Sequence, residues 1–238
     1  MNRQDSGLRL GLPLGRQLGR RAFLGALVAG GLSLSARPLV AAVPGAGRID
    51  FDIRRGGSSI GRHSLRFRKD GPLLRVDIEI EIDIYLAFIR VFSYRHRNSE
   101  VWKADRLISL ETETDDDGES YRVSAWAVPE GLRVEGSGGA YLAPAGTIPT
   151  SYWDARTLKQ SSLLDTQRGG LLGVRVDPLG ADRLETGQAA RHYRISGDLD
   201  LELWYSPAGE WLKIAFEARG AEISYARLPG GAESEVAG

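Results

Sequence analysis

From Arg75 onward the segment Leu74 to Ile84 alternates without a fault: Val76, Ile78, Ile80, Ile82 and Ile84 fall on one side, Asp77, Glu79, Glu81 and Asp83 on the other. A period of two over this length predicts a β-strand with one buried and one wet face. The preceding segment, Ile60 to Lys69, is also strand-like and ends in Asp70-Gly71, a strong hairpin signal. A two-residue turn there pairs Phe67 with Leu74, Leu65 with Val76 and His63 with Ile78, and sets Ser64 against Asp77 and Arg62 against Glu79. The same logic predicts strands at Phe88 to Arg97, Val101 to Thr114, Glu119 to Val128 and Leu132 to Glu135. Asp115-Asp116-Asp117-Gly118 and Pro129-Glu130-Gly131 provide turns. Near the C-terminus, Ala190 to Ser196, Asp200 to Tyr205, Trp211 to Ala218 and Glu222 to Leu228 follow at short spacing. Strands so spaced describe an antiparallel meander.

One region breaks the alternation. Between Gly136 and Gly173 the chain carries Gly136-Ser137-Gly138-Gly139, Ala143-Pro144-Ala145-Gly146 and then Pro149-Thr150-Ser151-Tyr152-Trp153-Asp154. Asp154 is placed to cap a short helix from Ala155 to about Gln160, because its carboxylate accepts from the free amides of a first turn. Thr166 to Gly173 reads as a second loop, and the tail from Pro229 onward is small and polar.

The N-terminus follows a different rule. Arg20-Arg21-Ala22-Phe23-Leu24 is a twin-arginine pair leading into an Ala-, Leu- and Gly-rich run to Ala36, with no acid between Gln17 and Arg48. Val40-Ala41-Ala42 presents small residues for a signal peptidase. Residues 1–42 are therefore expected to be an export signal handled by the twin-arginine translocase, leaving a periplasmic or secreted protein. An uncleaved signal would instead tether the domain. The domain is expected over residues 43–228, with 229–238 as a disordered tail.

Charge is balanced over the whole chain at 31 basic and 31 acidic residues. Loss of six arginines and Asp5 with the signal leaves 25 basic and 30 acidic, which argues against nucleic acid as partner. There is no cysteine, so thiolate catalysis, iron–sulfur and Cys-zinc sites and a lipid-anchoring thiol are excluded. After residue 42 no apolar run reaches the length of a transmembrane helix.

Several segments together carry a family resemblance. Phe51-Asp52-Ile53 with Ile60-Gly61 resembles an opening strand pair; Pro149-Thr150-Ser151-Tyr152-Trp153 resembles a central Ser/Thr-aromatic-Trp loop; Leu203-Trp204-Tyr205 with Gly209 and Trp211-Leu212-Lys213-Ile214 resembles a closing hairpin. In this order they are similar to an uncharacterised family of exported bacterial β-rich proteins classified as a domain of unknown function. That family is distantly like the half-barrels of LolA-type lipoprotein carriers. The resemblance implies a curled antiparallel sheet and brings no activity with it.

The chemistry-bearing residues are few. Of the histidines, His63, His96 and His192, the first lies on the apolar face with Leu65 and Phe67. No His-x-His or His-Glu-x-x-His pair is present. The acid row from Asp77 to Asp83 spaces its carboxylates roughly 7 Å apart along the strand, which does not converge on a cation. It reads as a solvated face paired with cross-strand arginines such as Arg62.

The loop Ser151-Tyr152-Trp153-Asp154 is the sharpest feature. Its rings either line a ligand pocket, with Ser151 or Asp154 fixing orientation, or plug one end of the concave face while Asp154 caps the helix. Trp204, Tyr205 and Trp211 need no ligand, since cross-strand aromatic packing accounts for them.

The expected architecture is all-β: one strongly curved antiparallel sheet or half-barrel of about ten strands, with one short helix and its loop over the concave face. The expected function is non-catalytic binding of an apolar or amphipathic small molecule or lipid in the cleft, through Ser151, Tyr152, Trp153, Asp154 and His63. No cofactor or metal is expected. An envelope interaction module with a packed interior is the alternative, and a hydrolase ranks third.

Overall fold

The computed structural model describes residues 47–229. The expected signal and its cut after Ala42, and the tail beyond Pro229, lie outside the described residues. The described chain holds fourteen strands in one antiparallel sheet, against the ten or so expected. They are β1 (Arg48–Arg55), β2 (Ser58–Asp70), β3 (Leu73–Leu86), β4 (Ile89–Lys103), β5 (Arg106–Asp116), β6 (Glu119–Val128), β7 (Gly131–Gly136) and β8 (Gly139–Ala143). After a one-turn 3-10 helix (Ala155–Lys159) follow β9 (Ser162–Leu164), β10 (Leu171–Arg183), β11 (Ala189–Gly197), β12 (Leu201–Tyr205), β13 (Trp211–Ala218) and β14 (Ala221–Arg227).

The strand order is β8-β7-β6-β5-β4-β3-β2-β1-β14-β13-β12-β11-β10-β9. Every ladder joins sequence neighbours except β1–β14, where Phe51 pairs with Arg227 and Ile53 with Tyr225. The sheet therefore curls into an unclosed barrel whose edges are β8 and β9. Residues 144–161 cross between these edges, and a parallel bridge from Pro149 to Leu164 ties the crossing to β9.

The hairpin β2–β3 keeps its expected faces but shifts its register by two. Phe67 pairs with Val76, Leu65 with Ile78 and His63 with Ile80; Ser64 faces Glu79 and Arg62 faces Glu81. The turn is Gly71-Pro72, between paired Asp70 and Leu73, and Gly71 has φ +56°. A glycine at the first central position followed by proline suits the turn, and it removes from the ladder a residue that has no N–H to give. A shift of two preserves the side-chain faces, which a shift of one would have inverted.

A second correction concerns β4 and β5. The expected break near residue 98 is absent, and the turn falls at Ala104-Asp105. Asn98 and Ser99 look like turn formers, yet both side chains have strand partners: Asn98 Nδ2 donates to Glu100 Oε1 at 3.0 Å, and Ser99 Oγ donates to Asp77 Oδ1 at 2.7 Å. The strands β8, β9 and β10 fall in stretches that carry no clean alternation. Pro178 sits in β10 beside a bulge, beyond the three residues that pair with β9, so its missing N–H faces an open edge.

Each antiparallel reversal alternates between two ends of the barrel. At the end bearing the β2–β3 and β4–β5 turns, the crossing segment fills the interior. Trp153 packs edge-on against Phe67 at 5.4 Å and Trp102 at 5.5 Å between ring centres. At the other end the turns β1–β2, β3–β4, β5–β6 and β13–β14 surround an opening.

Candidate functional site

The interior is not filled. Between the plugged end and the opening lies a cavity of about 630 Å³. Its walls are the inward positions of the central strands, among them Ile80 and Ile82 of β3, Tyr94 of β4, and Ile214 and Phe216 of β13. These are the positions the period-two pattern assigns to the apolar face. Volume and lining fall within the range of small-molecule pockets.

Two histidines stand in this wall. His63 is boxed by Phe51, Trp211 and Tyr225 at ring-centre separations of 5.9, 5.4 and 5.6 Å. Neither of its ring nitrogens has a hydrogen-bond partner. Burial, with a smaller effect of neighbouring His96, pushes its pKa down to about 3. His96 sits 2.8 Å through Nδ1 from Thr114 Oγ1, and burial pushes its pKa down to about 4. Both rings are neutral near pH 7 and present a soft aromatic surface.

The loop over residues 165–170 covers one side. Gln167 links Tyr94, whose hydroxyl donates to Oε1 at 3.2 Å, with Asp116, which accepts from Nε2 at 3.2 Å. Ser137 N donates to Arg168 O at 2.9 Å, and Tyr141 OH donates to Gly169 O at 2.8 Å. Gly136 allows this approach: a Cβ there would lie 2.5 Å from Arg168 O. The loop thus stitches β7 and β8 to the β9–β10 side where no strand ladder closes the barrel.

The crossing segment divides its residues by role. Tyr152 lines the cavity with Thr150, whereas Ser151, Trp153 and Asp154 lie outside the lining. Tyr152 has φ +59°, and Trp153 N donates to Ser151 O at 2.8 Å, a tight γ-turn centred on a left-handed residue. Tyr205 OH fastens that turn by donating to Tyr152 O at 2.7 Å. The Tyr152 hydroxyl is buried without a partner, and burial raises its pKa. Backbone strain of this kind persists only where the surroundings fix it, and it concentrates at functional positions.

Trp153 and Ser151 serve an anchor that the sequence reading missed. Glu100 is fully buried and its carboxyl accepts from Trp102 Nε1 at 2.8 Å, Trp153 Nε1 at 3.0 Å and Asn98 Nδ2 at 3.0 Å. Ser151 also hydrogen-bonds to it. Burial raises its pKa, against the lowering effect of these bonds. A signal was available: Tyr94, His96, Asn98, Glu100 and Trp102 share the inward face of β4, so an acid at that phase must point into the core. Asp154 caps as expected, accepting from Arg156 N at 2.9 Å, although the turn it opens is 3-10. Arg156 then lies over the Trp102 ring at 5.3 Å.

The acid row lies on the outer face and is charge-paired, with partners set by the shifted register. Asp77 meets Arg68, Glu79 lies 3.8 Å from both Arg66 and Arg97, and Asp83 meets Arg95 at 2.6 Å. No ion pair joins Arg62 to Glu79, because the two are not opposite each other. The third histidine, His192, is also outside: it lies 2.9 Å from Glu202 and stacks on Trp204 at 4.1 Å. The described residues hold no group of three or more His, Asp or Glu arranged for a metal ion.

The architecture has a relative among solved structures. A crystal structure titled as a beta-barrel-like protein of domain of unknown function DUF1849, from Brucella abortus, aligns with a TM-score of 0.52 at 9% identity. The alignment covers 76% of this chain and 94% of that one, and at this identity it establishes the fold alone. No curated protein matches. The family described as Domain of unknown function (DUF6134) matches residues 51–228, nearly the whole described sheet, and the chain therefore belongs to that family.

Proposed function

We propose that this protein is exported and binds one apolar or amphipathic small molecule or lipid tail in the half-barrel cavity, without catalysing its conversion. The carrying observation is the cavity of about 630 Å³ with a wall of Ile, Phe and Tyr side chains. A curled sheet of this size could have filled its centre with larger side chains; leaving apolar surface around open space forfeits packing energy that an apolar guest restores. The chemistry at the wall supports binding over turnover. Neither ring nitrogen of His63 is hydrogen-bonded to an acid or a hydroxyl, and His96 Nδ1 is engaged with Thr114. The cavity lies beside Tyr152, above the Trp153 plug, so its integrity depends on Trp153 while its shape depends on β3 and β13. Export rests on the Arg20-Arg21 pair and the apolar run after it.

Native mass spectrometry of the protein purified from its own host tests this reading. The expected result is a co-purifying mass that disappears when Ile80→Trp and Ile214→Trp together fill the cavity, with the far-ultraviolet circular dichroism unchanged. A clean unliganded mass for the unaltered protein under gentle ionisation refutes it. The interaction-module reading is favoured by one observation, the exposed apolar end of the β3–β4 hairpin.

A further inference from the structure

Nine large apolar residues are exposed among the described residues, and five of them lie within seven positions. Tyr85 (59% exposed), Leu86 (73%), Phe88 (99%), Ile89 (70%) and Val91 (41%) form the end of the β3–β4 hairpin. The other four, Trp126, Leu142, Leu171 and Leu179, are scattered singly. Isolated exposed apolar side chains are ordinary; a contiguous cluster is not.

The hairpin end projects from the sheet. Pairing of β2 with β3 stops at Gly61–Ile82, and pairing of β4 with β5 stops at Tyr94–Asp116. Beyond these pairs, Asp83 to Phe92 has ladder partners only within the hairpin, while Ser93 O still accepts from Asp117 N at 2.8 Å. Four residues of rise carry the end about 13 Å past the last rungs shared with β2 and β5, while β2 itself runs on to Ser58 beside it without pairing. A bulge between Ile84 and Tyr85 redirects it.

Among its exposed residues the ribbon is apolar on both faces at the tip, and charge begins only deeper. At the end are Ala87 and Phe88; next comes the Leu86–Ile89 pair; then the amphipathic pair Tyr85–Arg90 with Val91 beside it; below these Ile84 and Phe92 turn inward to the core, and Asp83, on the outer face, lies 3.6 Å from Arg90 and 2.6 Å from Arg95. A protein groove selects one face of a ribbon and leaves the other polar. A bilayer grades from charged headgroups to hydrocarbon along its normal and surrounds what enters it. The ribbon also starts at the cavity wall, because Ile82 and Tyr94, its last anchored pair, both line the cavity.

We propose that the β3–β4 hairpin end inserts into the interfacial layer of a lipid bilayer and holds the open end of the half-barrel against it. Phe88, Leu86 and Ile89 enter among the acyl chains, Tyr85 and Arg90 sit at headgroup level, and the Asp83–Arg95 pair stays in water. The proposal stands on the hairpin alone and survives an empty cavity, just as cavity binding survives a hairpin that stays in water.

The chain has no cysteine, so one introduced thiol can be spin-labelled uniquely. The test uses the full chain with Ala87→Cys or, at the opposite end of the barrel, Asp105→Cys, mixed with phosphatidylcholine vesicles. The expected result is that the label at 87 loses collisions with an aqueous nickel complex and gains collisions with oxygen, while the label at 105 remains in water. Adding Leu86→Asp and Phe88→Asp to the Ala87→Cys chain is expected to weaken vesicle partitioning by tenfold or more, from two apolar side chains withdrawn from hydrocarbon. A label at 87 that stays as accessible to nickel as the label at 105 overturns the proposal, including where residues 20–42 alone hold the chain on the vesicle. Shielding at 87 without vesicles, together with a doubled mass in solution, also overturns it by assigning the hairpin end to a second copy.

Discussion

Replacing Glu100 separates two things a buried carboxyl can do. In Glu100→Ala the indole N–H groups of Trp102 and Trp153 and the amide of Asn98 all lose their acceptor in a site with no measurable exposure. An orphaned buried donor costs about 1–3 kcal/mol, so three of them, with partial relaxation of the plug, predict a loss of about 3–5 kcal/mol. That is a large part of the roughly 5–15 kcal/mol of a typical domain, or about 10 °C in Tm for a chain of this size. In Glu100→Gln the side-chain oxygen keeps both indoles. Its new NH2 faces Asn98, whose Oδ1 has no partner, and an amide flip of Asn98 converts the clash into a hydrogen bond. Loss of the desolvated charge works in the same direction, because burial holds the Glu100 pKa above its ordinary value. Glu100→Gln is therefore expected to lie within about 1 kcal/mol of the unaltered protein at pH 7. Guanidinium unfolding followed by tryptophan emission measures both, since the rings of Trp102 and Trp153 report directly on the site. A loss for Glu100→Ala below about 1 kcal/mol, the size of a surface substitution, would refute the anchor. A Glu100→Gln as damaged as Glu100→Ala would refute the hydrogen-bond exchange and require the ionised carboxylate.

Two further expectations follow from the same interior. Unfolded His63 and His96 take up protons near pH 6.5, whereas folded they do so only near pH 3 and 4, so acidification from 6.5 downward favours the unfolded chain. At pH 5 each histidine is expected to have withdrawn about 2 kcal/mol, and denaturant titrations at pH 7 and pH 5 should find the difference roughly halved in His63→Phe; an unchanged difference would mean His63 is not held neutral. Gly136→Ala puts a methyl group against the Arg168 carbonyl and the Gly169 Cα at 2.5 and 2.9 Å, both backbone atoms that cannot swing aside. The expected loss is about 1–3 kcal/mol, with faster amide exchange confined to residues 165–170. Unaltered exchange there would show that the loop is held without the β7 contact.

The β2–β3 hairpin illustrates how far the sequence could be read. Alternation fixed which side chains of β3 face inward, because the pleat leaves no choice once one face is buried. It could not fix the register, which turned on Pro72 entering the turn in place of Asp70. Trp211 to Ala218 and Glu119 to Val128 were legible to the residue because turns of Gly, Pro and Asp bound them on both sides. The edge strands β8 and β9 were illegible: at five and three residues, they are held by the crossing segment and its loop, contacts that no local pattern encodes. In the loop Ser151 to Asp154, the two roles of plug and pocket lining were both visible as possibilities. The structure divides them, with Tyr152 on the cavity and Trp153 on Glu100.

What the chain determined by itself is a long antiparallel sheet with one apolar face, since period-two alternation and turn residues act over a few neighbours at a time. The tertiary structure decided that the sheet curls but does not close, that an acid on β4 fastens a tryptophan plug fifty-three residues further on, and that the plug stops short of filling the interior. These depend on how strands distant in sequence approach one another, where side-chain size, a buried hydrogen bond and the reach of a connecting segment set the outcome together.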